Sequence, residues 1–431
     1  MITRRELMLI GAGAAIAVSL PAWAVGSATA ERATAITQVF EDGIRLTAVA
    51  IEFNAEVNAL QFAKSDFRVE GRTITDLFVS QSASLTPAES GRFVILSLSA
   101  DEPNLSLSSE IPMANATVKQ QKPNEKGKGK PWVAGDKPAT NLVFATPTAQ
   151  VQVNGKTLET SVVNNLIVDD FQQLTFDDPR TGKTLRYNLY VPKNQSQPLP
   201  LVLFMHDAGV TSEYHRATLM QGLGAVIWAD PAEQAKRPCF VLAPQYDEII
   251  VDDKSQASPM LDTTIHLIEE LTKKYPIDTS RLYATGQSGG CMMSIAMNIK
   301  YPDLFAASYL VAGQWSPDLV APLAKKKLWI MVSMDDLGAF PGENRITERL
   351  EKEGAKISRA IWNGTWDSEQ YRFAYDKIRS EQSPINYTVF DKETVFLPTS
   401  DRKGASGHRN TWRIAYSIEP IREWLFEQSK G

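Results

Sequence analysis

Gly286-Gln-Ser-Gly-Gly290 follows the apolar run Arg281-Leu-Tyr-Ala-Thr285 and leads into Gly290-Cys-Met-Met-Ser-Ile-Ala-Met-Asn-Ile299. The first run reads as a short buried strand and the second as a helix, which Tyr301-Pro302 stops. Glycines flank the serine because a tight strand-to-helix turn leaves no room for side chains on either side. Ser288 is therefore the candidate nucleophile of a G-x-S-x-G turn, lifted above the end of a sheet.

The surrounding chain, from about 165 to 431, alternates strands with helices. Leu185–Val191 follows a turn at Asp177–Gly182. Leu199–Met205, Cys239–Ala243, Ala306–Ala312 and Leu328–Ser333 are continuous apolar runs, as parallel strands covered on both faces should be. Leu261, Ile265, Ile268 and Leu271 mark one face of a helix, and Ile418–Gln428 closes the chain as an amphipathic helix. This alternation predicts a mostly parallel sheet flanked by helices, and with the serine turn it predicts an α/β-hydrolase fold. In that fold the partners follow in the order serine, acid, histidine. His206, His215 and His266 precede Ser288, which leaves His408 as the base.

A serine hydroxyl needs a base to take its proton and an acid to orient that base. His408 lies in Gly404-Ala-Ser-Gly-His-Arg-Asn410, read as a loop before the last helix. The acid should follow the strand ending at Ser333, where Asp335 and Asp336 stand side by side; spacing does not separate them. One oxyanion donor should be the backbone N–H of Gly289. The other should come from the loop after Met205, at Asp207 or Ala208. His206 is expected to be a packed loop residue, and His215 and His266 to be exposed. Trp315 and Trp412 are candidates for the substrate pocket, with core packing an equal alternative. There is no Walker loop and no H-E-x-x-H, so neither a cofactor nor a metal is expected.

Ahead of this part, residues 34–160 read as all-β. Ile44–Phe53, Phe67–Val79, Arg92–Leu98, Asn141–Ala145 and Val151–Val153 are separated by turn clusters, which predicts a small antiparallel sandwich. Asn124-Glu-Lys-Gly-Lys-Gly-Lys130 reads as a solvated loop. Residues 1–30 read as a signal peptide: Thr3-Arg-Arg5, an apolar Leu7–Leu20 stretch, then Pro21-Ala-Trp-Ala24, with cleavage after Ala24 or Ala30. The paired arginines resemble a twin-arginine signal, with a general secretory signal as the alternative. The apolar stretch is too short for a membrane span, and no cysteine follows it to carry a lipid. Export to the periplasm or the medium is expected. The 431 residues carry a net charge of −5, which offers no electrostatic argument for nucleic acid or an anionic membrane as partner. Cys239 and Cys291 fall at opposite ends of the sheet, so two buried thiols are expected rather than a disulfide.

Several segments together resemble the exported esterases of the polyhydroxybutyrate-depolymerase and feruloyl-esterase-like group, in the branch with an N-terminal immunoglobulin-like domain. They are Tyr187–Pro192, Leu203–Gly209, Val241–Gln245, Ala284–Gly290, His408–Trp412 and Ile421–Gln428, with Ile36–Gly43 and Val69–Ile74 in the early part. The resemblance covers nearly the whole chain after the leader. It implies Asp336 as the acid, because the branch carries Ser-x-x-Asp before an aromatic-Pro-Gly, here Ser333-Met-Asp-Asp336 before Phe340-Pro-Gly342. The expected activity is hydrolysis of carboxylic esters, small or polymeric, through an acyl-enzyme. Alternatives are a polyester depolymerase, a peptidase of the prolyl-oligopeptidase type and a non-catalytic binding protein. Substrate preference rests on the 246–258 and 337–375 segments, whose conformation composition does not set.

Overall fold

The computed structural model describes residues 28–102, 105–113, 133–396, 402 and 405–430. Most of the expected leader, the Asn124–Lys130 stretch and Gly404 lie outside them. The chain divides into two compact units, residues up to 108 with 144–170, and residues 109–143 with 171–431.

In the first unit, β1 (Ala30–Phe40), β2 (Gly43–Asn58), β3 (Phe67–Val69), β4 (Ile74–Ser80) and β5 (Ser90–Leu98) come first. Among the described residues β6 (Ser108–Pro112) and β7 (Thr140–Phe144) pair only with each other, as a ribbon that belongs almost wholly to the second unit. β8 (Gln150–Val153) and β9 (Lys156–Asn165) complete a seven-stranded sheet of order β3-β8-β9-β1-β2-β5-β4. Asn141–Ala145, expected as a strand of the sandwich, therefore does not join its sheet. The sheet is also not wholly antiparallel, since β1 runs parallel to β9.

The run Phe67–Val79 is broken where Gly71 takes φ +67°, a left-handed conformation that glycine adopts without a Cβ clash. Its two halves end up as opposite edges of the sheet. Phe67, Val69, Val151 and Val153 nonetheless share one apolar core with Val49, Ile51, Phe53, Val94 and Leu96, so the sheet folds over on itself. Phe62 bridges Phe53 and Phe67 at ring separations of 5.2 and 5.6 Å. The fold begins before residue 30: Ala30 opens β1, and Thr29 exchanges two hydrogen bonds with Asn54.

The second unit is built on a nine-stranded sheet. Its strands are β10 (Gln172–Asp178), β11 (Lys183–Tyr190), β12 (Leu199–Met205), β13 (Phe240–Gln245), β14 (Ile277–Gln287), β15 (Ala307–Val311), β16 (Leu328–Ser333), β17 (Ile357–Trp362) and β18 (Ile385–Phe390). The order is β10-β11-β13-β12-β14-β15-β16-β18-β17, antiparallel through β11·β13 and parallel beyond. β12, β13 and β16 are buried at every residue, which explains their unbroken apolar sequences. Trp329 on β16 anchors an aromatic cluster, stacked on Tyr375 and edge-on to Trp424. Cys239 and Cys291 are free and buried. Among the described residues no helix is long and apolar enough to cross a membrane.

His266 and His215 are not exposed, against expectation. His215 Nε2 lies 3.0 Å from the Tyr187 carbonyl, and His266 Nδ1 lies 2.6 Å from Asp178 Oδ2. Burial opposes charge on Asp178, but hydrogen bonds from His266, Thr181 and the Arg180 N–H outweigh it and hold the carboxyl at about 2. A carboxylate held below its ordinary value stabilises the fold above that value and loses the contribution as pH falls toward 2. Asp178→Asn is therefore expected to lower the melting temperature at pH 6 and to flatten its fall between pH 4 and 2. An unchanged acid limb would refute this.

Candidate active site

Ser288 sits between the end of β14 and the helix Gly289–Lys300, with φ +52° and ψ −116°. A non-glycine residue held in such a region carries about 1–3 kcal/mol of strain, which the neighbours must impose. Ser288 N–H donates to the Val311 carbonyl at 3.0 Å, and its own carbonyl accepts from Met292 N–H at 2.9 Å.

The flanking glycines are steric necessities. A Cβ on Gly290 would lie 2.0 Å from the Met205 carbonyl oxygen, and one on Gly286 would lie 2.5 Å from the Gly290 carbonyl carbon. These are backbone atoms that cannot turn aside. Gly290→Ala is expected to cost about 1–3 kcal/mol and to abolish turnover, measured by thermal unfolding beside an ester assay.

The helix Ser406–Ala415 carries His408 in its first turn. This corrects the loop reading of 404–410. A Cβ on Gly407 would lie 2.3 Å from the Asp335 carbonyl oxygen, so the glycine there serves close approach rather than loop freedom. His408 Nε2 stands 2.8 Å from Ser288 Oγ, and Nδ1 hydrogen-bonds Asp336 Oδ2. With a carboxylate at Nδ1, that nitrogen carries the proton and Nε2 is left to accept from the serine hydroxyl. Trp412 packs edge-on against the imidazole, with ring centroids 4.8 Å apart.

The two neighbouring aspartates differ in what they face. Asp336 is buried; its Oδ1 accepts from Gly338 N–H at 3.1 Å and Ala339 N–H at 2.9 Å at the start of the helix Ala339–Lys352. Asp335 turns the other way, its Oδ2 accepting from Glu393 N–H at 2.7 Å. Asp336, not Asp335, meets the imidazole.

Opposite the serine, Asp207 caps the short 3-10 turn Ala208–Val210. The turn consumes the N–H groups of Gly209, Val210 and Thr211, which donate to Asp207 Oδ1, the Asp207 carbonyl and the Ala208 carbonyl. Ala208 N faces Gly289, 3.4 Å from where a Cβ on that residue would stand. Gln287 braces this loop from within the pentapeptide, donating to Asp207 Oδ2 at 3.0 Å. His206 is buried and fixed in one tautomer, Nδ1 donating to the Asp207 carbonyl at 2.8 Å and Nε2 accepting from Tyr246 N–H at 3.0 Å. Burial lowers its basicity.

These groups open into a cavity of about 420 Å³, whose walls include Val251, Asp253, Gln314 and Leu337. Trp315 is not among its lining residues. It lines a separate cavity of about 450 Å³ with Leu319 and Ala296. Trp412 supports His408 and does not line the 420 Å³ cavity either.

Glu343 went unread in the sequence. It is buried, and Oε1 accepts from Gly313 N–H at 2.9 Å beside the Ser288 cavity. Burial pushes its carboxyl well above the ordinary value, and the charge of Asp336 adds to this. Its place on a polar helix gave no sign of that environment. Among the described residues, no group of three His, Cys, Asp or Glu is arranged to hold a metal.

Residues 32–156 match the family described as the esterase Ig-like N-terminal domain. Over 285 residues the chain is 28% identical to a probable acetylxylan esterase A of Aspergillus flavus, covering 63% of this chain and 86% of that protein. The figures are the same for acetylxylan esterase A of Aspergillus oryzae. The crystal structure of a thermostable esterase superposes with a TM-score of 0.72 and 25% identity, covering 93% of this chain and all of the other. The chain is thus an esterase of α/β-hydrolase fold that carries an immunoglobulin-like N-terminal domain.

Proposed function

We propose that the protein cleaves carboxylic esters by forming an acyl-enzyme on Ser288, with His408 as base and Asp336 as its orienting acid. The observation that carries this is the hydrogen-bonded line from Asp336 through His408 to Ser288 Oγ, 2.8 Å from Nε2. His408 takes the serine proton as Oγ attacks the ester carbonyl, then gives it to the departing alkoxide. It next takes a proton from water as the hydroxide adds to the acyl carbonyl, and gives that proton to Ser288 Oγ as the C–Oγ bond breaks and the acid leaves. The N–H groups of Gly289 and Ala208 are the proposed donors to the oxyanion; Ala208 is preferred to Asp207 because it faces Gly289. Proline at 208, the first position of its turn, removes one donor where a turn tolerates proline. Ala208→Pro is expected to lower kcat about 10²–10³-fold with little change in KM.

The arginine pair and apolar stretch of residues 3–24 support export, which amino-terminal sequencing of the mature protein would test. The names of the curated relatives favour a narrower substrate, an acetyl group on a xylan hydroxyl. Acetate release from acetylated xylan tests that narrower reading. Turnover of p-nitrophenyl esters from acetate to octanoate, labelled in parallel with a serine-directed fluorophosphonate, tests the general one. Absence of both turnover and labelling would return the binding-protein alternative.

A further inference from the structure

Residues 133–142 lie inside the stretch that matches the immunoglobulin-like family, yet they group with the catalytic unit. Their contacts there are specific. Gly135 N–H donates to the Ile249 carbonyl at 2.7 Å, and Ile249 N–H donates back to the Asp136 carbonyl at 2.8 Å. Lys137 Nζ lies 2.7 Å from Asp247 Oδ2, and Ala134 N–H reaches Asp252 Oδ2 at 3.4 Å. Further along, Leu142 accepts from Ser212 Oγ at 2.8 Å, and Asn141 Oδ1 accepts from Glu213 N–H at 2.8 Å.

Residues 141 and 142 thus hold the loop after β12, while residues 134–137 grip the connection after β13, which forms one wall of the Ser288 cavity through Val251, Asp252 and Asp253. On its far side this connection is closed by its own hairpin: Ser258 N–H to the Ile250 carbonyl at 2.8 Å, Asp252 N–H to the Gln256 carbonyl at 3.1 Å. Asp253 Oδ1 then accepts from Gln314 Nε2 at 2.8 Å, tying this wall to the one after β15. Both backbone groups of Ile249 are satisfied by residues 135 and 136. The wall is also tied at its start, where Tyr246 N–H donates to His206 and Lys183 pairs with Glu248, and at its tip through Gln314, so residues 135 and 136 fix its middle at Ile249.

We infer that residues 133–142 are a positioning element of the substrate pocket. They hold the 246–253 wall in place, and through Asp253 and Gln314 they set the width of the cavity and its selectivity for the size of the bound ester. The inference rests on the proposed esterase reading. It assigns these residues no part in the chemical step, because none of them lines the cavity. A displaced wall should change which esters fit while leaving Ser288 reactive.

Gly135 offers a clean test. Its φ is +92° and nothing stands within 4 Å of where a Cβ would lie. Asparagine, among the side chains that enter positive φ most readily, keeps the N–H donor at the cost of some backbone strain. Proline removes the donor and cannot adopt the angle. Gly135→Pro is expected to change the ratio of kcat/KM for acetate over octanoate about tenfold, mainly through KM. Phosphonate labelling of Ser288 should stay within about twofold, the chemical step being intact. Gly135→Asn should keep the original profile. An unchanged profile in Gly135→Pro overturns the inference, and so does an equal change in both variants. If Gly135→Pro does not fold, hydrogen exchange in the unaltered protein decides. Slow exchange at the Ile249 amide supports the inference, and exchange at the rate of a free loop overturns it. Failure of the esterase reading is separate, since the unaltered protein would then neither turn over esters nor label.

Discussion

Ser288→Ala is expected to lower kcat on a p-nitrophenyl ester by about 10⁶ while leaving the folded structure and ester binding in place. The size of the effect follows from the geometry. His408 Nε2 has one acceptor position, directed at Oγ 2.8 Å away, and without the hydroxyl there is no nucleophile to activate. A residual rate of about 10³–10⁴ over water would remain, from the N–H groups that polarise the carbonyl. Circular dichroism and thermal unfolding must match the unaltered protein for the loss to be chemical. Retention of a tenth of the activity would place the nucleophile elsewhere.

The second large effect separates two adjacent residues. Asp336→Asn is expected to lower kcat by about 10⁴, whereas Asp335→Asn should change it only a few-fold. An asparagine at 336 still accepts from the Gly338 and Ala339 N–H groups through Oδ1. That leaves its amide NH₂ facing His408 Nδ1. The imidazole must then protonate at Nε2, and a protonated Nε2 cannot take the serine proton. The Asp335 carboxylate accepts from the Glu393 N–H and lies 3.5 Å from Ser333 Oγ, so its amide is expected to leave the histidine unaffected. Single-turnover kinetics of the two variants side by side checks the assignment. Equal losses would refute it.

The parts of the second unit legible in the sequence are those whose cause is local. β12, β13 and β16 are buried on both faces and so read as apolar runs. The serine turn was legible because Gly286 and Gly290 meet backbone within a few residues and across one strand. His408 was read from its order along the chain, but the helix that carries it was read as a loop. Gly407 looked like loop composition, and only the nearby Asp335 carbonyl explains it. Asp335 and Asp336 differ in a direction of turn that spacing does not encode; resemblance separated them. Trp315 was left open between pocket and core, because a sequence does not say which side of a loop a ring will face; it lines the 450 Å³ cavity. Asn141–Ala145 read as a sandwich strand because it is a short apolar run among turn residues, while residues 135–142 take hydrogen-bond partners at 212–213 and 249, far along the chain.

That last distance has a consequence for how the chain is made. The two pieces of the first unit, up to 108 and 144–170, are both available once residue 170 has left the ribosome. Residues 133–142 must then wait for Ile249, about 80 residues further on. At about 5–20 residues per second this is a delay of roughly 4–16 s. During synthesis the ribbon β6–β7 and its flanks are thus an early-born segment with a late-born partner. Slowing translation between codons 170 and 250 should lengthen its exposure to proteases, and speeding it should shorten it.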